Sequence, residues 1–128
     1  GLVGVLFSDF LNLYAPTYLD DMSLKWVKKA DFHFGSKIKD ISFSAGGEYL
    51  LVAGEHHLVL HKIRYQYTGT HEYDIPDLEE FFKVDIDETI KKCCFSPDSK
   101  YFATLGDNPH MVYIWDFATF SKPRHELD

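Results

Sequence analysis

The chain contains two copies of one sequence pattern, placed 52 positions apart. Residues 38–49 read Ile-Lys-Asp-Ile-Ser-Phe-Ser-Ala-Gly-Gly-Glu-Tyr, and residues 90–101 read Ile-Lys-Lys-Cys-Cys-Phe-Ser-Pro-Asp-Ser-Lys-Tyr. Each copy continues through an apolar run to a glycine, Gly54 or Gly106, and then to a second apolar run. A repeat of this kind predicts stacked units, because one unit cannot bury its own faces without a neighbour.

Short apolar segments between turn residues predict an all-β chain, since no window keeps a helical period of 3.6 residues. Aromatic residues make up 16% of the sequence, and such side chains suit pleated surfaces. A single helical turn at 77–80 is the weaker alternative to strand in that segment, and Pro16 is expected to end the second strand. Strands are expected at residues 2–7, 10–14, 24–27, 38–43, 49–53, 58–63, 81–84, 90–95, 101–105 and 111–117.

The charge balance argues against a dominant phosphate-binding role. The chain has 13 basic and 20 acidic residues and a formal net charge of −7, whereas non-specific nucleic-acid binding depends on clustered Lys and Arg. A local basic stretch is the remaining candidate for RNA contact. It consists of Lys25, Lys28, Lys29, Lys37 and Lys39.

The cysteines and the apolar runs indicate the compartment. Cys93 and Cys94 are adjacent, so on a strand they point to opposite faces and are expected to be free thiols in a reducing compartment. No run approaches the roughly 18 apolar residues that span a bilayer, so no membrane insertion is expected. The predicted location is intracellular, either cytoplasmic or nuclear.

The second copy resembles a WD-repeat β-propeller blade. The pattern is an apolar strand ending in Phe95-Ser-Pro-Asp98, a strand led by Tyr101, a glycine turn, and a strand ending in Trp115-Asp116. The first copy has the same shape, although His61-Lys62 stands where the Trp-Asp pair would be. The resemblance implies blades of four antiparallel strands.

The resemblance accounts for about three blades, whereas a propeller closes with four to eight. The expected division is a blade remnant at 1–34, a blade at 35–88 with an insertion at 64–78, a blade at 89–120 and a tail at 121–128 without an outer strand. The chain is therefore expected to be an incomplete ring, a fragment of a larger propeller. The remaining blades would come from the parent chain or from a partner.

The resemblance also implies which residues are structural and which contact partners. Phe95, Ser96, Pro97, Asp98, Trp115 and Asp116 form its structural signature. The turns at one end of the blades would meet protein segments, and tyrosines of the insertion at the other end are exposed-aromatic candidates. The candidate interface residues are Glu55, His56, His57, Asp107, Asn108, His110, Tyr65, Tyr67 and Tyr73.

No site for catalysis or for a cofactor is predicted. His56, His57, His61 and His110 lack the spacing of a zinc site. The acidic residues Asp74, Asp77, Glu79 and Glu80 are assigned to a solvated connection rather than to general acid–base chemistry. The expected function is a non-catalytic protein–protein interaction scaffold in a larger intracellular complex. The alternative is a propeller subunit of a ribonucleoprotein assembly that contacts RNA through the lysine stretch.

Overall fold

The computed structural model describes residues 2–66, 75–108, 110–119 and 123–127. Within these ranges the chain forms eleven β-strands in three antiparallel sheets, with single 3₁₀ turns at Ala45–Gly47 and Phe117–Thr119. The predicted all-β class is confirmed. None of the helices in the described residues is long and apolar enough to cross a membrane.

Each sheet is called a blade and is built from strands that are consecutive in sequence. The first blade contains β1 (Val3–Leu6), β2 (Phe10–Tyr18) and β3 (Leu24–His33). The second blade contains β4 (Ile38–Phe43), β5 (Tyr49–Gly54), β6 (His57–Gln66) and β7 (Ile75–Asp85). The third blade contains β8 (Ile90–Phe95), β9 (Tyr101–Gly106), β10 (Val112–Asp116) and β11 (Pro123–Leu127).

The sequence repeat corresponds to the second and third blades, down to single hydrogen bonds. At the β4–β5 turn, the Ser44 amide donates to the Tyr49 carbonyl (2.9 Å) and the Tyr49 amide to Ser44 Oγ (2.9 Å). At the β8–β9 turn, the Ser96 amide donates to the Tyr101 carbonyl (2.8 Å) and the Tyr101 amide to Ser96 Oγ (3.1 Å). The repeated serine–tyrosine pair therefore closes the same turn twice.

Two buried clusters join the three blades, as the repeat predicted. Alternate residues of a strand point to opposite faces, so the second blade contributes to both clusters. The cluster between the first and second blades consists of Leu11, Leu13, Ile38, Leu50, Val52 and Ile63. The cluster between the second and third blades consists of Leu51, Ala53, Leu58, Leu60, Ile90, Cys93, Phe102 and Trp115.

The inner strands of neighbouring blades are also linked by side chains. Asp40 Oδ2 accepts a hydrogen bond from the Cys93 amide, and Ser42 Oγ accepts one from the Phe95 amide, each at 2.9 Å. These bonds run from β4 to the free backbone edge of β8. They hold the second and third blades side by side at their inner edges.

The outer face of the first blade is apolar and exposed. Val3, Val5 and Trp26 are 44%, 40% and 47% exposed, and they line a shallow depression with Tyr14. The described blades thus form an open arc rather than a closed ring, as expected.

The expectation that Pro16 ends the second strand was wrong, and so was the assignment of Asp77, Glu79 and Glu80 to a connection. β2 continues through Pro16 to Tyr18, paired with β3. β1 accompanies β2 only as far as Tyr14, so beyond it one edge of β2 has no neighbour among the described strands, a position that tolerates proline. Residues 77–80 belong to the edge strand β7 and form no helical turn.

The bounds of the insertion and the tail also need correction. β6 and β7 pair as far as Gln66 and Ile75, so residues 64–66 and 75–78 of the predicted insertion are strand. The tail has an outer strand, because Pro123–Leu127 pairs with β10. Proline is tolerated as the first residue of an edge strand, and the pairing covers an edge of β10 that would otherwise be open.

Candidate functional site

Five connections lie at the same end of the blades, which is called the upper end. They are the turn 7–9, the link 34–37, the turn 55–56, the link 86–89 and the turn 107–111. The upper end also includes His57 at the start of β6. Six of the predicted interface residues lie here, namely Glu55, His56, His57, Asp107, Asn108 and His110.

Backbone groups, rather than side chains, fix the turn at 55–56. The Ile86 amide donates to the His56 carbonyl at 2.7 Å, and the Ile90 amide donates to the Glu55 carbonyl at 2.9 Å. The side chains of both turn residues are exposed. The turn therefore keeps its shape while it presents a carboxylate and an imidazole to solvent.

The junction between the first and second blades uses the same two bonds. The Phe34 amide donates to the Asp9 carbonyl (3.0 Å), and the Ile38 amide donates to the Ser8 carbonyl (2.7 Å). The link 34–37 is therefore the structural counterpart of the link 86–89. This equivalence allows the two junctions to be compared residue by residue.

His57 is half-buried at the start of β6, opposite Asp85. Burial is the main cause that lowers its pKa, and Lys83 acts in the same direction, while Asp85 and Glu80 act against them. A lowered pKa favours the neutral imidazole at pH 7. His57 therefore adds no positive charge to this end at neutral pH.

The turn 107–111 is shaped by its own asparagine. Asn108 Oδ1 accepts from the His110 amide at 3.0 Å, and its carbonyl accepts from the Met111 amide at 3.2 Å. Asp107 forms an exposed ion pair with Lys91 at 3.1 Å. Asn108 thus has a structural role in the turn.

A cleft of about 290 Å³ opens between the second and third blades. Its acidic side consists of Asp85, Asp87 and Glu88. Tyr113 also lines the cleft, and its hydroxyl donates a hydrogen bond to Glu88 Oε1 at 3.0 Å. The cleft combines three carboxyl groups with two aromatic rings and two aliphatic side chains. Its lining residues are Val84, Asp85, Ile86, Asp87, Glu88, Tyr113 and Trp115.

Trp115 reaches this cleft from the core. It is 3% exposed and stacks on Phe102, with ring centroids 6.0 Å apart and an interplanar angle of 7°. Its Nε1 donates to Thr104 Oγ1 at 3.0 Å. The following residue, Asp116, accepts from the Ala118 amide at 2.9 Å.

The other signature residues lie at the opposite, lower end. Phe95 packs against the core cluster, and the Ser96 hydroxyl donates to Asp98 Oδ1 at 2.7 Å. This bond is the main cause that lowers the pKa of Asp98, and the Lys100 amide adds to it. Pro97 is exposed within the same turn.

His61 takes the place of Trp115 in the second blade. It lies opposite Leu50, as Trp115 lies opposite Phe102. His61 is 7% exposed, and its Nδ1 has no hydrogen-bond partner among the described residues. Burial lowers its pKa, while Glu80 and the Leu50 carbonyl act in the opposite direction.

The predicted tyrosine surface is described only in part. Tyr65 lies on β6 and is 50% exposed, and the remaining burial raises its pKa. Tyr67 and Tyr73 lie outside the described residues.

The lysines of the predicted basic stretch lie on three different elements. Lys25, Lys28 and Lys29 lie on the outer strand β3, Lys37 lies in the link 34–37, and Lys39 lies on the inner strand β4. Lys28 is within 3.6 Å of Asp31.

The acidic residues and histidines that were weighed as catalytic groups or metal ligands do not form a metal site among the described residues. Asp77, Glu79 and Glu80 lie on β7, where Glu79 pairs with Arg64, and Asp74 is outside the described residues. In the described part of the chain, no three His, Cys, Asp or Glu side chains are placed to hold a metal ion.

Sequence reasoning missed the cleft between the second and third blades. It did not connect Asp87 and Glu88 with Asp85 or Tyr113. A comparison of the two copies could have found it, because Gly35 and Ser36 stand where the link 86–89 has acidic residues.

Three solved structures are similar in fold to this chain. A hydrazine synthase from Kuenenia stuttgartiensis matches with a TM-score of 0.59 and 8% identity, over 89% of this chain and 28% of its own. The Cps50 (Swd1) β-propeller domain of Myceliophteria thermophila matches with a TM-score of 0.63 and 17% identity, over 91% of this chain and 37% of its own. A functionally unknown protein from Desulfotomaculum acetoxidans matches with a TM-score of 0.62 and 9% identity, over 93% and 36%.

These matches establish β-propeller architecture for the three blades. The chain spans about a third of the length of the structures it matches. No family model and no curated protein sequence matches it.

Proposed function

We propose that this chain is part of a non-catalytic protein-interaction scaffold built from WD-repeat blades. The scaffold holds other protein subunits in a larger complex in the cytoplasm or nucleus. Further blades, from the parent chain or from a partner, cover the exposed face around Val3, Val5 and Trp26. The free thiols Cys93 and Cys94 agree with a reducing compartment.

The observation that carries this proposal is the construction of the upper end. The carbonyls of Glu55 and His56 fix the turn, whereas both side chains are exposed. Rigid strands that present exposed loop side chains are a common basis for recognition by a non-catalytic domain. RNA binding is not proposed, because the five candidate lysines are divided among the outer strand β3, the inner strand β4 and the link between them.

Quantitative affinity purification tests the scaffold. The double variant Glu55→Ala/His56→Ala alters the upper end without removing either carbonyl, and Tyr65→Ser alters the lower end. Asp20→Ala, in the exposed turn between β2 and β3, is the matched control. We expect the upper-end variant to lower recovery of partner proteins by roughly tenfold, the effect of losing a contact worth about 1.4 kcal/mol.

The control should recover the same proteins as the unaltered chain. Unchanged recovery with both the upper-end variant and Tyr65→Ser would contradict the proposal. RNA recovery that falls steeply between low and moderate salt would instead favour the alternative function.

A further inference from the structure

We propose that the cleft between the second and third blades binds a cationic side chain, lysine or arginine, of a partner protein segment. This inference rests on the proposed scaffold function and specifies the chemistry of its partner. The site consists of the acidic residues Asp85, Asp87 and Glu88 and the ring of Tyr113, and the buried Trp115 also lines the cleft.

The two junctions differ in charge. At the junction of the first and second blades, His33, Gly35 and Ser36 stand where the cleft has its three acidic residues. The two links make the same backbone hydrogen bonds to the preceding turn. The fold therefore forms this junction without any carboxylate, so the acidic residues of the cleft are not needed to build it.

The walls of the cleft fit the same ligand. Val59 and His61 are the counterparts of Tyr113 and Trp115 at the first junction, where His61 lies against Phe34, so Tyr113 is the aromatic residue particular to the cleft. An aromatic face attracts lysine and arginine, and here the partly buried Tyr113 offers one, whereas Trp115 is 3% exposed and stacked on Phe102. Carboxylates give charge-assisted hydrogen bonds to the same cations. No lysine or arginine is among the residues that line the cleft.

The size of the cleft favours a single side chain over a larger ligand. Its volume of about 290 Å³ lies at the lower limit for small-molecule pockets. The cleft is bounded on both sides by four-stranded blades. Unlike the exposed face of the first blade, it lies between two blades that this chain itself supplies.

Titration of the full chain with simple cationic probes tests the site. The probes are N-acetyl-arginine amide and N-acetyl-lysine amide, with N-acetyl-glutamine amide as the neutral control, followed by ¹H–¹⁵N correlation spectra. We expect saturable shifts of the amides of 84–88 and of the Trp115 indole N–H, with a dissociation constant on the order of 1 mM. The amides of 34–36 are an internal control and should not move.

The double variant Asp87→Asn/Glu88→Gln should weaken binding by at least roughly tenfold. The glutamine can still accept the Tyr113 hydrogen bond through its amide oxygen, and an unchanged spectrum elsewhere would show that the fold is retained. Asp20→Asn removes one charge at the lower end and should leave the affinity unchanged. The proposed site would be contradicted if the glutamine probe caused the same shifts as the cationic probes, or if the double variant bound the cationic probes as tightly as the unaltered chain.

The experiments can contradict the proposed cation site and the proposed scaffold function independently of each other. Absence of cation binding, together with loss of partners from Glu55→Ala/His56→Ala, would overturn the cleft and support the scaffold. Cation binding that the double variant abolishes, without any change in partner recovery from any variant, would support a cationic site but overturn its role in partner binding.

Discussion

The third strands of the second and third blades carry different residues at the same position. In the third blade, Trp115 is buried against Phe102 and donates to Thr104. In the second blade, His61 is buried at the counterpart position, and Val52 stands where the tryptophan has its threonine. One architecture thus accepts either an indole whose N–H is hydrogen-bonded or an imidazole whose Nδ1 has no partner among the described residues.

The difference shows which parts of the repeat hold the blade together. Both blades keep the serine–tyrosine turn. Both also keep one backbone hydrogen bond to that turn from the third strand or the residue after it. The Ile63 amide donates to the Glu48 carbonyl (2.8 Å), and the Phe117 amide donates to the Lys100 carbonyl (2.9 Å). The central side chain varies because the surrounding apolar cluster can provide most of the packing. We therefore expect the two blades to differ in how their junctions respond to mutation.

The largest effect is expected for Trp115→Ala. The substitution removes a nearly buried ring and its hydrogen bond, and should lower the free energy of unfolding by about 3–5 kcal/mol. Urea unfolding followed by circular dichroism measures it. The matched control is Trp26→Ala, because Trp26 is 47% exposed and should cost only about 1 kcal/mol. Equal losses would mean that the two tryptophans pack alike in solution.

A second difference separates the inner strands β4 and β8. Asp40 and Ser42 accept hydrogen bonds from β8, whereas Lys92 and Cys94 hold the same positions on the opposite, open side of β8. Asp40→Ala leaves the Cys93 amide without its acceptor and should cost about 1–3 kcal/mol. Hydrogen exchange at that amide, together with urea unfolding, measures the effect.

The counterpart substitutions provide the control for this prediction. Ser42→Ala should cost about 1 kcal/mol, because the Phe95 amide loses one neutral hydrogen bond. Cys94→Ala alters the same repeat position where it is exposed, and should change stability by less than about 0.5 kcal/mol. A loss for Cys94→Ala as large as that for Ser42→Ala would argue against a specific bond between the blades.

The sequence was sufficient to predict the blades but not all of their edges. The repeated turns and the buried positions of β5 and β9 follow from local apolar and turn patterns. The outer strand β11 is mostly polar, and β3 continues past its apolar start into the polar pair Lys28 and Lys29. Their bounds therefore depend on neighbouring strands, and Lys28, Lys29 and residues 123–127 gave no local signal.

The cleft was harder to predict because its parts are distant in sequence. Asp85 ends β7 and Tyr113 lies on β10, and stacking of two blades brings them together. Local patterns identify the turns but not which side chains meet across a junction. The neutral residues Gly35 and Ser36 at the counterpart positions were a signal that only alignment of the two links could give.

The smallest predicted effect concerns the pH dependence of the junction that contains His61. Burial lowers the pKa of His61 below its ordinary value of 6.5, so the folded chain keeps the neutral form while the unfolded chain takes up a proton. Stability is therefore full above about pH 6.5 and decreases as the pH falls toward the folded-state pKa. We expect a loss of about 1 kcal/mol between pH 7.5 and 5.5.

His61→Phe should remove this part of the pH dependence and raise stability slightly at pH 7.5, because the unpartnered Nδ1 is replaced by carbon. Urea unfolding at the two pH values measures both effects. His110→Phe is the control, since His110 is exposed on the turn 107–111 and the variant should keep the original pH dependence. If the His61→Phe variant instead kept the pH dependence of stability, the destabilising proton would have to bind another group. Burial also lowers the pKa of His57, so His57 would be the next residue to replace.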